Sequence, residues 1–452
     1  MDKLKALGLI FPVSYGIQID VNAVNKQLPN GQTVTGSLCD HNCTRDVGGY
    51  DCPAAFTVNR GFKPHFASAE SIINWVLAGR ESLRLATEQF LEHHFSGYCA
   101  EFNIPHDVSE ALYQNMKSGT CEVNLFGGNP EMHPQIFEII RTLKSLGFRV
   151  NLTTTGRKPL TSREFTTQLA IDTPHLLALS ADDVDPDRLE DYLTMPLDQL
   201  KAVWKKIPPL NGQAQKFVEG IYTARQAMLE NWPCTVLFNM VLHKGNLPHF
   251  RQIMQTITKH LPKVLLNPYP AQDSFDHGPG DLFDAESISL FSSLVDWFIQ
   301  ETIGGNANLT KRLQSWLVMR AVLDNCQDHP VAASKLISGH GIWQCYRRTG
   351  AGMYLQIGKG NNSLINIGDP EATEPGGYPG CYWNNSTVTG NAQVTTAEHL
   401  LSGMQEHAKA STKPCPGCSM LRLWFNMAVT ELGLNPGLVA TYLGLRYKHA
   451  GF

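Results

Sequence analysis

Short apolar segments alternate with longer amphipathic segments through the first two thirds of the chain. Six of the short segments have the length and composition of strands, namely residues 32–38, 121–127, 148–154, 175–180, 235–242 and 263–267. Between them, apolar residues recur at intervals of three and four, as at Ile136, Ile139, Ile140 and Leu143, which is the spacing of one helix face. Alternating strands and helices predict an α/β fold with a parallel sheet and helices outside it.

Six strands are fewer than the eight of a complete barrel. The pattern therefore fits either a partial (β/α)6 barrel or an open doubly wound sheet, and both place functional groups at the carboxyl ends of their strands. Small or polar residues stand at those ends, namely Cys39, Gly127, Gly128, Thr153, Thr154 and Ser180. Longer helices are predicted over residues 68–95, 107–118, 188–231 and 284–302, and Gly147 is expected to cap a helix.

The composition changes in the last quarter of the chain. Glycine, asparagine and proline become frequent, as in GKGNNSLINIGDPEATEPGGYPG, and helical periodicity is weak. Such a loop-rich region often needs a metal to hold it together. We predict an N-terminal segment over residues 1–30, a barrel over 31–305 and a small metal-containing domain over 306–452.

Charge and hydropathy exclude some functions. The 37 lysines and arginines are outnumbered by 41 aspartates and glutamates, so the basic footprint of a nucleic-acid-binding protein is missing. No apolar run reaches the 18 residues that a membrane-spanning helix requires. The first residues show no cleavage site for export. We therefore expect a cytoplasmic protein that binds neither nucleic acid nor membrane.

Three of the eleven cysteines lie within 14 residues near the N-terminus. Three residues separate Cys39 from Cys43, and eight separate Cys43 from Cys52. Three thiolates on one loop can hold three irons of a 4Fe–4S cluster and leave the fourth iron open. A zinc site that adds His41 is the disfavoured alternative, because this histidine falls between two ligands and is poorly placed for the closed site that zinc favours.

A glycine pair follows the second predicted strand, in the string NLFGGNPEMHP. This string resembles the Gly-Gly-Glu-Pro motif of the radical S-adenosylmethionine family, and the resemblance extends over roughly residues 30–270. It implies that the backbone of Gly127, Gly128, Asn129 and Pro130 binds the methionine part of the cofactor, since glycine has no Cβ. A valine at Gly128 is then expected to weaken cofactor binding more than stability. The alternative is a simple strand-to-helix turn.

Weaker similarities follow in order. NLTTTG (151–156) resembles the family's next strand end, and the resemblance makes Ser180 and Asn246 candidate cofactor contacts. Two features depart from the family pattern: the gap after Cys43 is eight residues instead of two, and Asn129 replaces the usual glutamate. The backbone contacts of the motif do not depend on that side chain.

A second group of cysteines lies in the C-terminal region. Cys345, Cys381, Cys415 and Cys418 look like ligands of the auxiliary clusters in the SPASM and twitch extensions of the family, although the full SPASM pattern is absent. An auxiliary 4Fe–4S cluster is the first choice, and a structural zinc site with four cysteines is the alternative. Cys326 could replace one of the four.

The resemblance implies an enzyme that cleaves S-adenosylmethionine at a 4Fe–4S cluster and forms a 5′-deoxyadenosyl radical. That radical would abstract hydrogen from a peptide or a small molecule, with flavodoxin or ferredoxin as electron donor. The alternative is a zinc- or cluster-containing binding protein on an inactive barrel. Substrate identity does not follow from the sequence.

Overall fold

The computed structural model describes residues 16–27, 33–41, 66–93, 95–101, 106–117, 122–181, 184–208, 212–270, 283–306, 308–309, 316, 320, 323 and 352–356. The strands in these ranges are β1 (Gly16–Asp20), β2 (Ala23–Gln27), β3 (Thr33–Ser37), β4 (Glu122–Phe126), β5 (Arg149–Thr154), β6 (Leu176–Ser180), β7 (Thr235–Leu242), β8 (Leu265–Pro270) and β9 (Gly352–Gln356). Seven of them form one sheet in the order β8-β7-β6-β5-β4-β1-β9, and β2 and β3 form a separate antiparallel hairpin.

Helices follow or precede most strands of the sheet. They are α1 (Ala69–His93), α2 (Phe95–Glu101), α3 (His106–Lys117), α4 (Ile136–Ser145), α5 (Arg157–Thr161), α6 (Arg163–Ile171), α7 (Leu189–Thr194), α8 (Leu197–Trp204), α9 (Gly212–Leu229), α10 (Phe250–His260) and α11 (Ala285–Ile303). Single turns of 3-10 helix lie at Pro130–Met132 and Leu247–His249. In the part of the chain that the structure describes, no helix has the length and apolarity to cross a membrane.

The strand order identifies the architecture. All pairings within the seven-stranded sheet are parallel. From β1 through β4 to β8, each strand of the sheet lies beside the next one along the chain. A doubly wound sheet reverses its order at a switch point, and no reversal occurs among these six strands. The α/β fold with the connectivity of a partial (β/α)6 barrel is therefore confirmed, and the doubly wound alternative is not.

The first strand of the barrel differs from the predicted one. Residues 32–38 were expected to fill this place, but β3 lies in the hairpin with β2, and β1 pairs with β4 instead. Ile17 and Ile19 are fully buried in β1. The alternating sequence GIQID has only two apolar side chains, so it is a weaker strand signal than the continuous apolar runs of the later strands.

Two strands of the sheet come from outside the predicted barrel range of 31–305. β1 belongs to the predicted N-terminal segment, and β9 belongs to the predicted C-terminal domain, where it pairs in parallel with β1. The domain boundaries themselves stay a prediction. The sequence pattern also predicts two last helices over about 419–432 and 436–443, and both lie outside the described residues.

Most predicted helices agree with the structure. The stretch 188–231, expected as one helical region, contains three helices, and Pro196 separates α7 from α8 because proline lacks the N–H that a continuing helix needs. Gly147 has a φ of 81° directly after α4, and its N–H donates to the carbonyl of Lys144 at 3.0 Å. The predicted glycine cap is therefore confirmed.

Packing of α4 on the sheet fixes the position of the strand ends. The four residues that share one face of this helix are fully or almost fully buried, namely Ile136, Ile139, Ile140 and Leu143. In the strands Val123, Leu125, Val150 and Leu152 are fully buried. These side chains belong to one continuous apolar core, above which the loops at the carboxyl ends of the strands carry the polar residues.

Candidate cofactor site

Cys39 lies directly after the hairpin and packs against the turn that follows β4. Its side chain is buried, with the residue 6% exposed. The Leu38 carbonyl accepts a hydrogen bond from the backbone N–H of Asn129 at 3.3 Å, and the Leu38 N–H donates to the carbonyl of Asn22 at 3.0 Å. Residues 38–41, called the cysteine segment below, and the glycine motif are far apart in sequence. They are thus in contact at the carboxyl end of the sheet.

Asn22 joins three segments of this site. It is fully buried just after β1, and its side-chain amide lies 3.3 Å from the carbonyl of Leu38, 3.1 Å from that of Gly127 and 2.6 Å from that of Asn129. An amide has only two hydrogens, so the three acceptors share them. Sequence analysis missed this residue, because β1 itself was not recognised.

Gly128 makes the close approach of the two segments possible. Its φ is 50°, and a Cβ at this position would lie 1.9 Å from the Leu38 oxygen and 3.1 Å from the Cys39 Cβ. The expectation that a valine here would affect cofactor binding more than stability is therefore wrong. The space that glycine leaves is filled by the protein's own backbone, and any side chain must displace the cysteine segment or the turn.

Asn129, which departs from the family motif, forms hydrogen bonds with both ends of its side-chain amide. Its amide nitrogen donates to Asp40 at 2.9 Å, and its amide oxygen accepts from the Thr154 hydroxyl at 2.9 Å. The side chain thereby connects the cysteine segment to the end of β5. Pro130 starts the 3-10 turn that follows. The string GGNP forms a turn and contacts the Cys39 segment, while its binding of the methionine part of the cofactor stays a prediction.

Alternating charges surround the residues after Cys39. His41 donates from Nε2 to Glu219 at 2.6 Å and contacts Asp40 through Nδ1 at 3.1 Å, while the Arg157 guanidinium donates to the Asp40 carbonyl at 2.6 Å. Burial raises the pKa of Asp40, but the hydrogen bond and charge of His41, with help from Asn129 and Arg157, lower it to about 2. Asp40 is therefore a carboxylate at neutral pH.

The same contacts act in the opposite direction on His41. Burial lowers its pKa, but the hydrogen bonds to Asp40, Cys39 and Glu219 and the negative charge of Glu219 raise it well above its usual value. A protonated imidazole donates from both nitrogens and offers no lone pair to a metal. Both imidazole nitrogens contact carboxylates, and the ligand atoms of Cys39, Asp40 and His41 lie within 4.8 Å of one another. The zinc site that includes His41 stays an alternative, because Cys43 and Cys52 lie outside the described residues.

Glu131 is a second buried carboxyl group next to the turn. It is 2% exposed, and its Oε2 accepts the backbone N–H of Lys158 at 2.7 Å. Burial, together with the negative charges of Asp40 and Glu219, raises the pKa of Glu131 to about 7. Its Oε1 has no hydrogen-bond partner among the described residues.

The structure brings only some of the predicted site residues together. Cys39 and the residues from Gly127 to Pro130 meet, and Thr154 joins them through Asn129. Asn246 lies apart from this network: its side chain accepts from the N–H of His243 and donates to the carbonyl of Val241, so it caps the turn after β7. The role predicted for Ser180, the last residue of β6, stays a prediction.

The remaining predicted ligands fall outside the described residues. They are Cys43, Cys52, Cys326, Cys345, Cys381, Cys415 and Cys418. Of the three predicted ligands of the first cluster, Cys39 is the one that lies within the described residues. Its thiol is buried beside the turn at Gly128, where the backbone of Leu38 approaches closely. A cysteine in this position is suited to ligate an iron–sulfur cluster.

The sequence also did not predict that His41 and Glu219 form a pair. A signal was present in the string KFVEGIY, where Phe217, Val218 and Ile221 are buried and a glutamate interrupts them. A charged residue within a buried helix face needs a partner. The partner is 178 residues away, so the sequence did not identify it.

Matches to known proteins are found among solved structures. No family profile matches the chain, and no curated protein sequence matches it. Among solved structures, anSMEcpe with bound AdoMet is 14% identical with a TM-score of 0.44, and the alignment covers 96% of this chain and 98% of that one.

Two further matches are to SuiB of Streptococcus suis. The protein without a named ligand is 14% identical with a TM-score of 0.41, covering 83% of this chain and 65% of SuiB. SuiB bound to precursor peptide SuiA is 12% identical with a TM-score of 0.36, covering 66% of this chain and 49% of that one. The chain thus spans about half the length of SuiB in that complex. With TM-scores below 0.5, these matches carry no conclusion about this chain, whose chemistry is argued from the site itself.

Proposed function

We propose that this chain is a radical S-adenosylmethionine enzyme in which Cys39, Cys43 and Cys52 hold a 4Fe–4S cluster. The observation that carries the proposal is the contact between the cysteine segment and the glycine motif. Gly128 packs on Leu38 and Cys39 so closely that no Cβ fits between them. The first cysteine of the cysteine motif and the glycine motif, both of which resemble one family in sequence, are therefore neighbours at the carboxyl end of the sheet.

When bound, the 4Fe–4S cluster and S-adenosylmethionine would supply reductive cleavage of the cofactor and a radical that abstracts hydrogen. The protein would supply orientation and shielding. Cys39 offers a buried sulfur ligand. The turn from Gly127 to Pro130 offers backbone groups to the methionine part of the cofactor, with Asn129 holding that turn against Asp40. Ser180 and Asn246 are proposed as further contacts of the cofactor.

A second metal is proposed in the C-terminal region. Cys345, Cys381, Cys415 and Cys418 would hold an auxiliary 4Fe–4S cluster, with zinc as the alternative metal. The proposed substrate is a peptide or a small molecule. Flavodoxin or ferredoxin is the proposed electron donor, and the cytoplasm is the proposed location.

The first experiment replaces Cys39, Cys43 and Cys52 together by alanine in protein reconstituted without oxygen. We expect formation of 5′-deoxyadenosine under dithionite to be abolished, and the iron content to fall by about four per chain. Cys234→Ala is the matched control, because this free cysteine lies away from the motif. A triple variant that forms 5′-deoxyadenosine at the wild-type rate would contradict the ligand assignment.

The second experiment measures iron and zinc in the wild type and in the Cys415→Ala, Cys418→Ala variant. Two clusters predict about eight irons in the wild type and about four in the variant. The variant should still cleave S-adenosylmethionine but fail to turn over its substrate. Four irons with one zinc in the wild type would sink the auxiliary cluster, and colourless protein that contains only zinc would favour a binding protein on an inactive barrel.

A further inference from the structure

A buried ion pair involves His41, two residues after Cys39. His41 and Glu219 both have fully buried side chains, and 2.6 Å separates Nε2 of the histidine from Oε2 of the glutamate. The other oxygen of Glu219 accepts the indole N–H of Trp204 at 2.9 Å. Both carboxylate oxygens therefore have a donor, and the hydrogen-bonding capacity that burial would otherwise leave unsatisfied is used.

The helix that carries Glu219 reaches the mouth of the barrel. Within α9, the Thr223 hydroxyl donates to the carbonyl of Gly156 just beyond β5 at 2.9 Å. One turn earlier, a Cβ added to Gly220 would lie 3.2 Å from the carbonyl oxygen of Ser180 at the end of β6. Glu219 thus stands beside the carboxyl ends of two strands, where it meets the segment of Cys39.

The pair holds more than one residue of that segment. His41 Nδ1 lies 3.1 Å from Asp40 and 3.9 Å from the Cys39 sulfur, so the two preceding side chains both contact the imidazole of His41. Burying two charges costs more desolvation than burying two apolar side chains of similar size. Since an apolar pair would serve stability at least as well, the ion pair calls for another role.

We propose that Glu219, acting through His41, is a positioning residue that fixes the Cys39 thiol at the mouth of the barrel for metal ligation. The ligand role of Cys39 rests on the proposed function. The anchoring of the segment does not, because it follows from the contacts of the protein alone. The two parts therefore have separate tests.

The anchoring is tested on metal-free protein by the rate at which iodoacetamide alkylates Cys39, measured by peptide mass spectrometry. In Glu219→Ala the rate should rise by about tenfold or more, the factor that about 1.4 kcal/mol of weakened closure produces. Cys99 and Cys234 in the same sample report any general loosening, and their rates should stay unchanged. Glu190→Ala is the matched control, since Glu190 pairs with His260 on the surface at 2.7 Å.

Two further variants separate anchoring from loss of fold. Glu219→Gln should keep the wild-type rate, because a neutral His41 can accept from the new amide at Nε2 while its Nδ1–H donates to Asp40. His41→Leu with Glu219→Leu leaves no unpaired charge and should fold, yet Cys39 should still react faster than in the wild type. A wild-type rate in this double variant would overturn the anchoring.

The positioning role is tested on reconstituted protein by the rate of iron loss to a chelator and by the EPR spectrum of the reduced cluster. Glu219→Ala and the double variant should lose iron several times faster and show altered g-values, whereas Glu219→Gln should match the wild type. If Cys39 alkylation rises but iron loss and spectrum do not change, the positioning role is overturned. Wild-type protein that binds no iron would overturn the proposed function and the ligand role, while the alkylation result would still decide the anchoring.

Discussion

At the level of single residues, Glu131 couples the site to pH. The folded state raises the pKa of Glu131 from 4.5 to about 7, mainly through burial. Between these values the folded protein keeps a proton that the unfolded chain has released. Stability therefore falls as the pH rises through this window, and the loss amounts to about 3 kcal/mol at about 1.4 kcal/mol per pKa unit.

Glu131→Gln should remove this loss. The glutamine oxygen can still accept the N–H of Lys158, and the amide carries no charge at any pH. We expect the variant to be about 2–3 kcal/mol more stable than the wild type at pH 8 and close to it at pH 5. Urea unfolding of metal-free protein at both pH values measures this, and an equal difference at the two pH values would contradict it.

The sequence predicted the residues of this site unevenly. Cys39 and the run from Gly127 to Pro130 were identified because their chemistry is visible in a short string. Asn22 and Glu219 were not, because each acts through a partner more than 100 residues away or across the sheet. A lone asparagine or glutamate carries no local pattern, and its role exists only once the chain has folded.

Among the elements, the turn after β4 is the most constrained. Gly128 and Gly147 both have positive φ, but a Cβ at Gly147 meets nothing within 4 Å, while one at Gly128 meets the Leu38 carbonyl at 1.9 Å. A substitution at Gly147 therefore measures the cost of backbone strain, whereas one at Gly128 measures the same strain together with steric overlap.

Gly147→Ala should cost about 1–2 kcal/mol of unfolding free energy, the cost of the left-handed conformation. Gly128→Ala should add about 1–3 kcal/mol of overpacking to the same strain. Urea unfolding of the two variants checks the difference. Equal costs would mean that Cys39 and its neighbours do not lie against Gly128.

The strands were predictable to the extent that they are apolar. Five of the six predicted strands occupy their expected places, because sheets covered on their faces produce continuous apolar runs. β1 has a short alternating sequence beside a glycine and an aspartate, and the β-branched string TVTGS of β3 gave the stronger signal. Which of β1 and β3 joins the sheet depends on the strands with which they pair, and these partners do not follow from the local sequence.

For the whole molecule, β9 protects the sheet. It pairs with β1 over five residues, from Gly16 with Gly352 to Asp20 with Gln356. Without it, β1 would become an edge strand with unpaired backbone groups, which is a template for association. The C-terminal region is therefore tied to the barrel through this strand.

Removing residues 340–452 should lower the thermal midpoint and promote oligomers, since each lost ladder hydrogen bond contributes about 1 kcal/mol. Removing residues 361–452 keeps β9 and is the matched control. Light scattering after size-exclusion chromatography compares the two. Equal behaviour of both truncations would show that β9 does not cover the edge of β1.

The β2–β3 hairpin has a closed base. The Leu38 N–H donates to the carbonyl of Asn22, and the Asn22 amide donates to the carbonyl of Leu38. The chain thus leaves the barrel and returns to the same point before it reaches Cys39. The segment between Asn22 and Leu38 should therefore tolerate changes of length and sequence, and even insertion of a foreign domain, without moving the Cys39 thiol.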